Sequence, residues 1–395
     1  LKKHLLEQHI ASDAELSAIE QEVSALTETA HEFAEKSAYP SAASATEHVY
    51  AAPRSGAPRD VPASDAGTRE LTFMKATLEA LTEEMARNPN IFVLGEGIGQ
   101  RGGNFATTSG LFALYGPERL RDTPICERGF VGLACGAAMT GARPVVDFMF
   151  ADFVLDGVGE IINQIAKMQY MSSGRLRMPV VLRGCIGIGH SAATHHSGNY
   201  YSLFAHFPGL RVVVPSTPRD AKGLLRTALT GDDPVLFLEH KRTYRLVKGE
   251  VPDGAPHVPI GPAAVARAGE DLSVYAYGLM LHHCVEAADR LAAEEGFQAE
   301  VVDLRTLQPL DRETILTSAR KTGKAMVVHE DNRTFGAGAE IAALIAEEAF
   351  FDLDAPPVRL AGPDTPAMPF ATGLEHAFLL DVERIYERMR ELARF

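Results

Sequence analysis

From residue 69 onward, short apolar runs alternate with longer segments whose apolar residues recur at helical spacing. The runs are bounded by Gly, Pro or charged residues, which is typical of buried strands. They lie at 91–96, 144–150, 178–184, 210–216 and 234–240. Strands that alternate with helices predict an α/β domain over 69–250, with a mostly parallel sheet covered by helices on both faces.

A stretch rich in Pro and Gly at 251–262 interrupts this alternation and predicts a linker. Beyond it the alternation resumes, with strands predicted at 272–278, 298–304 and 324–331 and helices between them. We therefore expect a second, smaller α/β domain at 263–395.

The N-terminal region has a different pattern. A helix is predicted over 1–36, because Ser12 and Glu15 have the spacing of a capping box and apolar residues then recur at about helical period. Between 51 and 68, Pro, Ala, Ser and Gly replace the large apolar residues. Such a stretch cannot form a core, and we expect a linker there.

Composition narrows the class of protein. The 395 residues exceed one ordinary domain, and 46% hydrophobic with 23% charged residues is the balance of a globular protein. A net charge of −14 argues against nucleic acid as a partner. No run reaches the roughly 18 apolar residues of a membrane span. Four scattered cysteines form no disulfide framework, which favours the reducing cytoplasm.

Candidate chemistry follows the predicted strands, where open α/β sheets place their sites. Glu96 ends the first strand, and Glu127 lies in a Pro-containing loop before a helix rich in small residues at 132–142. His195 and His196 lie in a long stretch of Gly, Ser and His, which is typical of a functional loop. From the residues alone, each has an alternative role, as a helix cap, a solvated carboxylate or a structural histidine.

Long motifs follow one another along the chain: NPNIFVLGEGI, RDTPICERGFVGLACGAAMTGARPVVDFMFADF, HHSGNYYSLFAHFPGLRVVVPSTPRDAKGLL, GDDPVLFLEHKRTYR, VVDLRTLQPLD, VVHEDNRTFGAGAEI and DTPAMPF. Together they resemble the beta subunit of thiamine-diphosphate-dependent 2-oxo acid dehydrogenases, of the pyruvate, branched-chain 2-oxo acid and acetoin types. The resemblance covers about 69–395. It implies a transketolase-like pyrimidine-binding domain, a transketolase C-terminal domain, and oxidative decarboxylation of a 2-oxo acid with acyl transfer to lipoamide.

The resemblance also implies roles for single residues. Glu127 matches the glutamate that activates thiamine diphosphate by sharing a proton with its aminopyrimidine ring, and Glu96 matches a second glutamate near the cofactor. Phe153 matches the aromatic residue that packs on the pyrimidine. His196 matches the histidine that faces the substrate and the lipoyl group. We therefore expect Glu127 and His196 to be catalytic, and Glu96, Glu127 and Phe153 to bind the cofactor.

A divided active site is implied as well. In the family, the alpha-type half holds the diphosphate through Mg²⁺ with a Gly-Asp-Gly motif, which does not occur in this chain. Ala228, Gly231 and Asp233 match positions whose backbone oxygens hold a structural K⁺. The implied partners are the alpha-type half, fused or separate, and a lipoyl acyltransferase core, in a homo-oligomer built as a dimer of alpha–beta units.

Residues 1–50 resemble another part of the same family, the C-terminal helices of the alpha subunit, through LLEQHIASDAELSAIEQEV and EFAEKS. This favours a fused alpha–beta polypeptide, and the alternative is an unrelated helical extension. Because the chain begins with Leu1, we expect it to be part of such a longer polypeptide.

Departures from the family pattern leave the substrate open. Gly95-Glu96-Gly97 replaces the common Gly-Glu-Glu, and Ser-Gly-Asn follows His196 in place of Ser-Gln. The alternatives are an acetoin or other diketone-cleaving dehydrogenase, a transketolase-like ketol transferase, and a non-catalytic subunit that keeps only the fold. The retained site residues argue against the last of these.

Overall fold

The computed structural model describes residues 1–51, 67–254 and 257–395. Its strands are β1 Thr68–Thr72, β2 Ile91–Gly95, β3 Leu120–Asp122, β4 Arg143–Phe150, β5 Val181–Ile186, β6 Arg211–Val213, β7 Val235–His240, β8 Lys248–Pro252, β9 Ala264–Arg267, β10 Leu272–Ala276, β11 Ala299–Asp303, β12 Thr306–Gln308, β13 Ala325–Asn332 and β14 Val358–Gly362. Its α-helices are α1 Lys2–Glu7, α2 Asp13–Lys36, α3 Phe73–Arg87, α4 Leu111–Arg119, α5 Glu127–Met139, α6 Val158–Glu160, α7 Met168–Met171, α8 Tyr201–Ala205, α9 Pro218–Thr230, α10 Thr243–Leu246, α11 Leu279–Glu295, α12 Arg312–Thr322, α13 Ala337–Glu348, α14 Thr372–Phe378 and α15 Val382–Ala393.

Residues 1–47 form a compact unit by themselves. The helix predicted over 1–36 is two helices, because His9 takes a positive φ of 53° and Ser12 starts a new helix. The predicted capping box is confirmed: the Glu15 N–H donates to the Ser12 hydroxyl, and the Ser12 N–H donates to the Glu15 carboxylate. One face of α2 presents apolar side chains that are more than half exposed: Ile19, Val23, Leu26 and Phe33.

The first sheet of the larger unit, 48–395, has seven strands in the order β12-β6-β7-β5-β4-β2-β3. The strands from β2 to β7 pair in parallel, and β12 pairs antiparallel with β6 at one edge. Along β7, Leu236 and Leu238 join one core cluster while Val235 and Phe237 join another. α5 contributes to the first cluster, and α3 and α9 contribute to the second. The predicted sheet with helices on both faces is therefore confirmed.

A second sheet has the order β14-β13-β10-β11-β9, parallel except for β9. α11 and α15 pack on one face, while α12 and α13 cover the other. Tyr275 and Val302 of this sheet belong to the same core cluster as Leu236 of the first. The two α/β parts of the chain are therefore joined by continuous apolar packing.

The segments expected to be linkers are described to different extents. Residues 52–66, most of the expected linker at 51–68, lie outside the described residues. In the other, at 251–262, the Thr227 hydroxyl donates to the Val258 carbonyl at 2.7 Å and Arg305 donates to the Pro262 carbonyl at 3.0 Å. The described residues 257–262 are therefore held against both α/β parts. Within the described ranges, no helix combines the length and apolarity needed to cross a membrane.

Candidate active site

Glu127 is the first residue of α5, after the loop that follows β3. It is buried, with 9% of the residue exposed, and its carboxylate makes no hydrogen bond to any residue of the described ranges. The carboxylate oxygens are not among the fully buried polar atoms that lack a partner in the described residues, so they keep contact with solvent, and the positive end of the helix favours their charge. A group in this position is suited to a ligand that supplies the missing hydrogen bond.

Glu96 comes directly after β2. The strand ends at Gly95, where a Cβ atom would lie 2.2 Å from the Asp147 carbonyl oxygen, so glycine lets β2 and β4 approach this closely. Burial raises the pKa of Glu96, and the negative charge of nearby Glu127 raises it further. The structure thus brings the two glutamates together, and the raised pKa lets Glu96 hold a proton more readily than an ordinary carboxylate does.

His196 lies between two aromatic rings. Its ring centroid is 4.4 Å from that of Phe150 and 5.7 Å from that of Phe153, in both cases edge to face. Phe150 ends β4, and Phe153 lies in the helical turn 151–157 that follows. The neighbouring His195 is exposed and is not part of this cluster. The structure therefore assembles one histidine of the pair with the expected cofactor aromatic.

The turn 151–157 also contacts the helix that carries Glu127. A Cβ atom on Gly157 would lie 3.0 Å from Val131 Cγ2 and 3.7 Å from the Glu127 carbonyl oxygen. Since β2, β4 and β5 are parallel, the segments that follow them meet at one edge of the sheet. That carboxyl edge carries the four expected site residues: Glu96, Glu127, Phe153 and His196.

Three side chains near His196 were not among the predicted site residues. The Tyr200 hydroxyl donates to Asp152 Oδ1 at 3.1 Å, and burial together with this carboxylate raises the pKa of Tyr200 to about 12. Lys241 Nζ donates to the His196 carbonyl oxygen at 2.7 Å. A charged residue directly after an apolar strand is a signal for Lys241, whereas nothing local marks Asp152 and Tyr200.

The positions expected to hold K⁺ lie at the C-terminal end of α9. Ala228 is in its last turn, and Gly231 and Asp233 follow. The Gly231 carbonyl oxygen accepts a hydrogen bond from the Arg143 guanidinium, which also donates to the Leu229 carbonyl at 2.8 Å. Helix C-termini favour cations, and here a cation of the chain already binds one of the expected ligands. The K⁺ site stays a prediction.

The site residues fit the ring end of thiamine diphosphate. Glu127 has a carboxylate without a partner in the described residues, which can bond a ring nitrogen, and Phe153, which contacts His196, has an aromatic surface for stacking. Among the described residues, no group of three or more His, Cys, Asp or Glu side chains is placed to hold a metal ion. The described chain therefore offers contacts for the pyrimidine and no acidic or histidine cluster for Mg²⁺.

Two protein-family models match the chain in sequence. The transketolase pyrimidine-binding domain matches residues 69–247, and the transketolase C-terminal domain matches residues 261–385. A solved structure described as a split-gene transketolase, inactive beta4 tetramer, has a TM-score of 0.63 and 25% identity, covering 82% of this chain and 98% of that one. These findings confirm the predicted fold class.

Characterised relatives are similar over most of the chain and nearly their own full length. The 2-oxoisovalerate dehydrogenase subunit beta of Bacillus subtilis is 47% identical over 325 residues, covering 82% of this chain and 99% of the relative. The acetoin:2,6-dichlorophenolindophenol oxidoreductase subunit beta of Cupriavidus necator is 44% identical over 333 residues (82% and 97%). A mitochondrial pyruvate dehydrogenase beta subunit of Oryza sativa is 43% identical over 326 residues (82% and 86%). With both domains present in the family's order, the chain belongs to the beta subunits of the thiamine-diphosphate-dependent 2-oxo acid dehydrogenases.

Proposed function

We propose that Glu127, Glu96, Phe153 and His196 form the beta-type half of an active site that decarboxylates a 2-oxo acid oxidatively, with thiamine diphosphate as cofactor and lipoamide as acyl acceptor. The observation that carries this proposal is the carboxylate of Glu127, a largely buried residue, which has no hydrogen-bond partner in the described residues and lies near Glu96. The relatives named for 2-oxoisovalerate and pyruvate dehydrogenases support the reaction class.

In this proposal the bound cofactor supplies the centre that stabilises negative charge as CO₂ leaves. Glu127 holds a proton at the aminopyrimidine nitrogen, because its carboxylate has no competing partner within the described residues. Glu96, whose pKa is raised by burial and by Glu127, exchanges protons with the same position. Phe153 orients the ring by stacking. His196 moves a proton on the substrate side, held between Phe150 and Phe153.

The finer assembly is also a proposal. An alpha-type half holds the diphosphate and Mg²⁺, and residues 1–50 are the C-terminal helices of that half, fused to the beta part. The exposed apolar face of α2 supports this, because such a face is normally covered by a partner. Two alpha–beta units and a lipoyl acyltransferase core complete the enzyme, in the cytoplasm. K⁺ at Ala228, Gly231 and Asp233 would share the Gly231 oxygen with the Arg143 guanidinium.

A diketone-cleaving enzyme is the second candidate, favoured by the 44% identity to the acetoin oxidoreductase beta subunit. A ketol transferase is supported by fold likeness to a transketolase at 25% identity. The choice matters chemically, because diketone cleavage and ketol transfer release no CO₂.

The test is to assay the chain with its alpha-type half, thiamine diphosphate and Mg²⁺ on 2-oxoisovalerate, pyruvate, acetoin and a ketose–aldose pair. Release of CO₂ coupled to reduction of lipoamide is the expected result, and it should disappear when the alpha-type half is omitted. Oxidation of acetoin without CO₂ release would establish the second candidate. Ketol transfer without any oxidation would contradict both.

A further inference from the structure

A buried ammonium ties the loop that carries His196 to the first sheet. Lys241 Nζ lies 2.7 Å from the His196 carbonyl oxygen and 3.3 Å from the Ser197 hydroxyl. Lys241 comes directly after β7, and its own N–H donates at 3.0 Å to the carbonyl of Ile186, the last residue of β5. The side chain therefore reaches from the rigid edge of two parallel strands to the backbone of the expected catalytic histidine.

Besides those of Lys241, the hydrogen bonds that hold the backbone around His196 are long, and one of them runs from the Gly198 N–H to Asp152 Oδ2 at 3.4 Å. The loop is irregular, with positive φ at Ser191 and Ala193, and the His196 N–H donates to the Ala193 carbonyl only at a long 3.4 Å. In the described part of the chain, the imidazole makes edge contacts with Phe150 and Phe153 and no hydrogen bond. The two phenyl rings restrict how the His196 imidazole can tilt, but they leave it free to slide between them. The position of the imidazole therefore depends on how its backbone is held.

The Lys241 ammonium is buried without a close ion pair. The residue is 3% exposed, and burial lowers its pKa. No carboxylate of the described ranges lies within 4.0 Å of Nζ; the acceptors that it bonds are a carbonyl and a hydroxyl. The charges of Glu330, Glu375 and Asp152 favour the ammonium from further away. A buried charge of this kind costs stability compared with an apolar side chain of similar size.

We propose that Lys241 is a positioning residue for His196: its ammonium fixes the His196 backbone, and thereby holds the imidazole in register between Phe150 and Phe153. The proposal rests on the role of His196 proposed above, which is to move a proton on the substrate side during the reaction that ends in acyl transfer to lipoamide. A misplacement of about 1 Å in a reacting group can cost about 10²-fold in rate. Losing the ammonium should therefore slow the reaction by displacing His196, while the protein remains folded.

Double variants of the enzyme assembled with its alpha-type half test this. Lys241→Met keeps a long side chain but removes the charge and all donors, whereas Lys241→Gln keeps one donor group. We expect Lys241→Met to slow acyl transfer to lipoamide by about 10- to 100-fold, and Lys241→Gln to slow it less. In a His196→Ala background, either Lys241 change should slow acyl transfer by less than about twofold, because the effects of coupled residues do not add. The proposal would be overturned if the rate of the double variant fell by the product of the factors measured for the two single variants.

Hydrogen–deuterium exchange over residues 187–200 provides a readout that does not depend on catalysis. Exchange should be faster in Lys241→Met than in the wild type and intermediate in Lys241→Gln. If the Met variant does not fold, the Gln variant alone provides the test. The matched control is Lys222→Met, because Lys222 is a fully buried lysine of the same part, bonded to Glu79 and Glu83 on α3. It should leave exchange in this loop unchanged.

The two proposals fail in different ways. Unchanged loop exchange in the folded Lys241 variants would overturn the positioning role, whatever the activity. Normal acyl transfer by His196→Ala would instead contradict the proposed role of His196, while leaving the anchoring of the loop measurable by exchange.

Discussion

Replacing Glu127 by Gln removes a proton acceptor and changes little else in the fold. Gln has the same shape, and no hydrogen bond within the described chain is lost. Glu127 is the first residue of α5, so losing its charge removes about 0.3–1 kcal/mol of favourable interaction with the helix dipole. Relief of repulsion with Glu96 acts in the opposite direction. We therefore expect the free energy of unfolding to change by less than about 1 kcal/mol.

The expected effect on catalysis is much larger. Proton transfer by a positioned side chain contributes about 10²- to 10⁴-fold to a rate, which corresponds to about 3 kcal/mol or more on the barrier. The Gln amide cannot take the proton that the aminopyrimidine must share. Because Glu127 contributes to the raised pKa of Glu96, that pKa should fall toward its ordinary value in the variant. Glu96 is then a poorer replacement as proton carrier.

The assay follows two quantities in the enzyme assembled with its alpha-type half: exchange of the thiazolium proton by NMR, and CO₂ release from the 2-oxo acid. Both should slow by about 10² or more in Glu127→Gln, while urea unfolding stays close to that of the wild type. Glu96→Gln is the matched control and should slow the exchange less. If exchange and decarboxylation in Glu127→Gln remain within about twofold of the wild type, the activating role is wrong and Glu127 is only a helix-end residue.

Further measurements address affinity, assembly and pH dependence. Calorimetric titration of residues 1–395 without an alpha-type half should show only weak binding of thiamine diphosphate and Mg²⁺, and micromolar affinity would contradict the divided site. Gly136→Leu should convert the assembled enzyme into smaller species in sedimentation, because Gly136 lies on the exposed face of α5 with no neighbour within 4 Å of its Cβ position; an unchanged sedimentation coefficient would refute assembly through this face. Burial raises the pKa of Asp303 from 3.8 to about 7, so its charged form is disfavoured in the native state. The contribution of Asp303 to stability should therefore fall as the pH rises from about 4 to 7, by up to about 4 kcal/mol; urea unfolding of the wild type and of Asp303→Asn should differ in pH dependence by this amount, and an equal pH dependence in both proteins would contradict the raised pKa.

The sequence by itself determined the elements of the fold. Apolar runs at strand length and apolar residues at helical spacing are local signals, and they predicted the central strands of both sheets and helices between them, but not the short or edge strands β3, β9, β12 and β14. The capping box of Ser12 and Glu15 is equally local and appears as predicted. Long motifs identified the family and marked Glu127, Glu96, Phe153 and His196 as candidates, although local patterns left other roles open for the glutamates and the histidine.

Only the tertiary structure decided which of these residues meet. β12 was not predicted, because Thr306–Gln308 is too short to show a period and gains its partner by pairing with β6 of the other domain. Glu96 and Glu127 approach each other because β2 and β3 are neighbours in the sheet. Lys241 reaches the His196 carbonyl across 45 positions of sequence, since β5 and β7 are adjacent although β6 lies between them in the chain. Strand order brings distant residues together, and hydrophobic periodicity along a chain contains no information about that order.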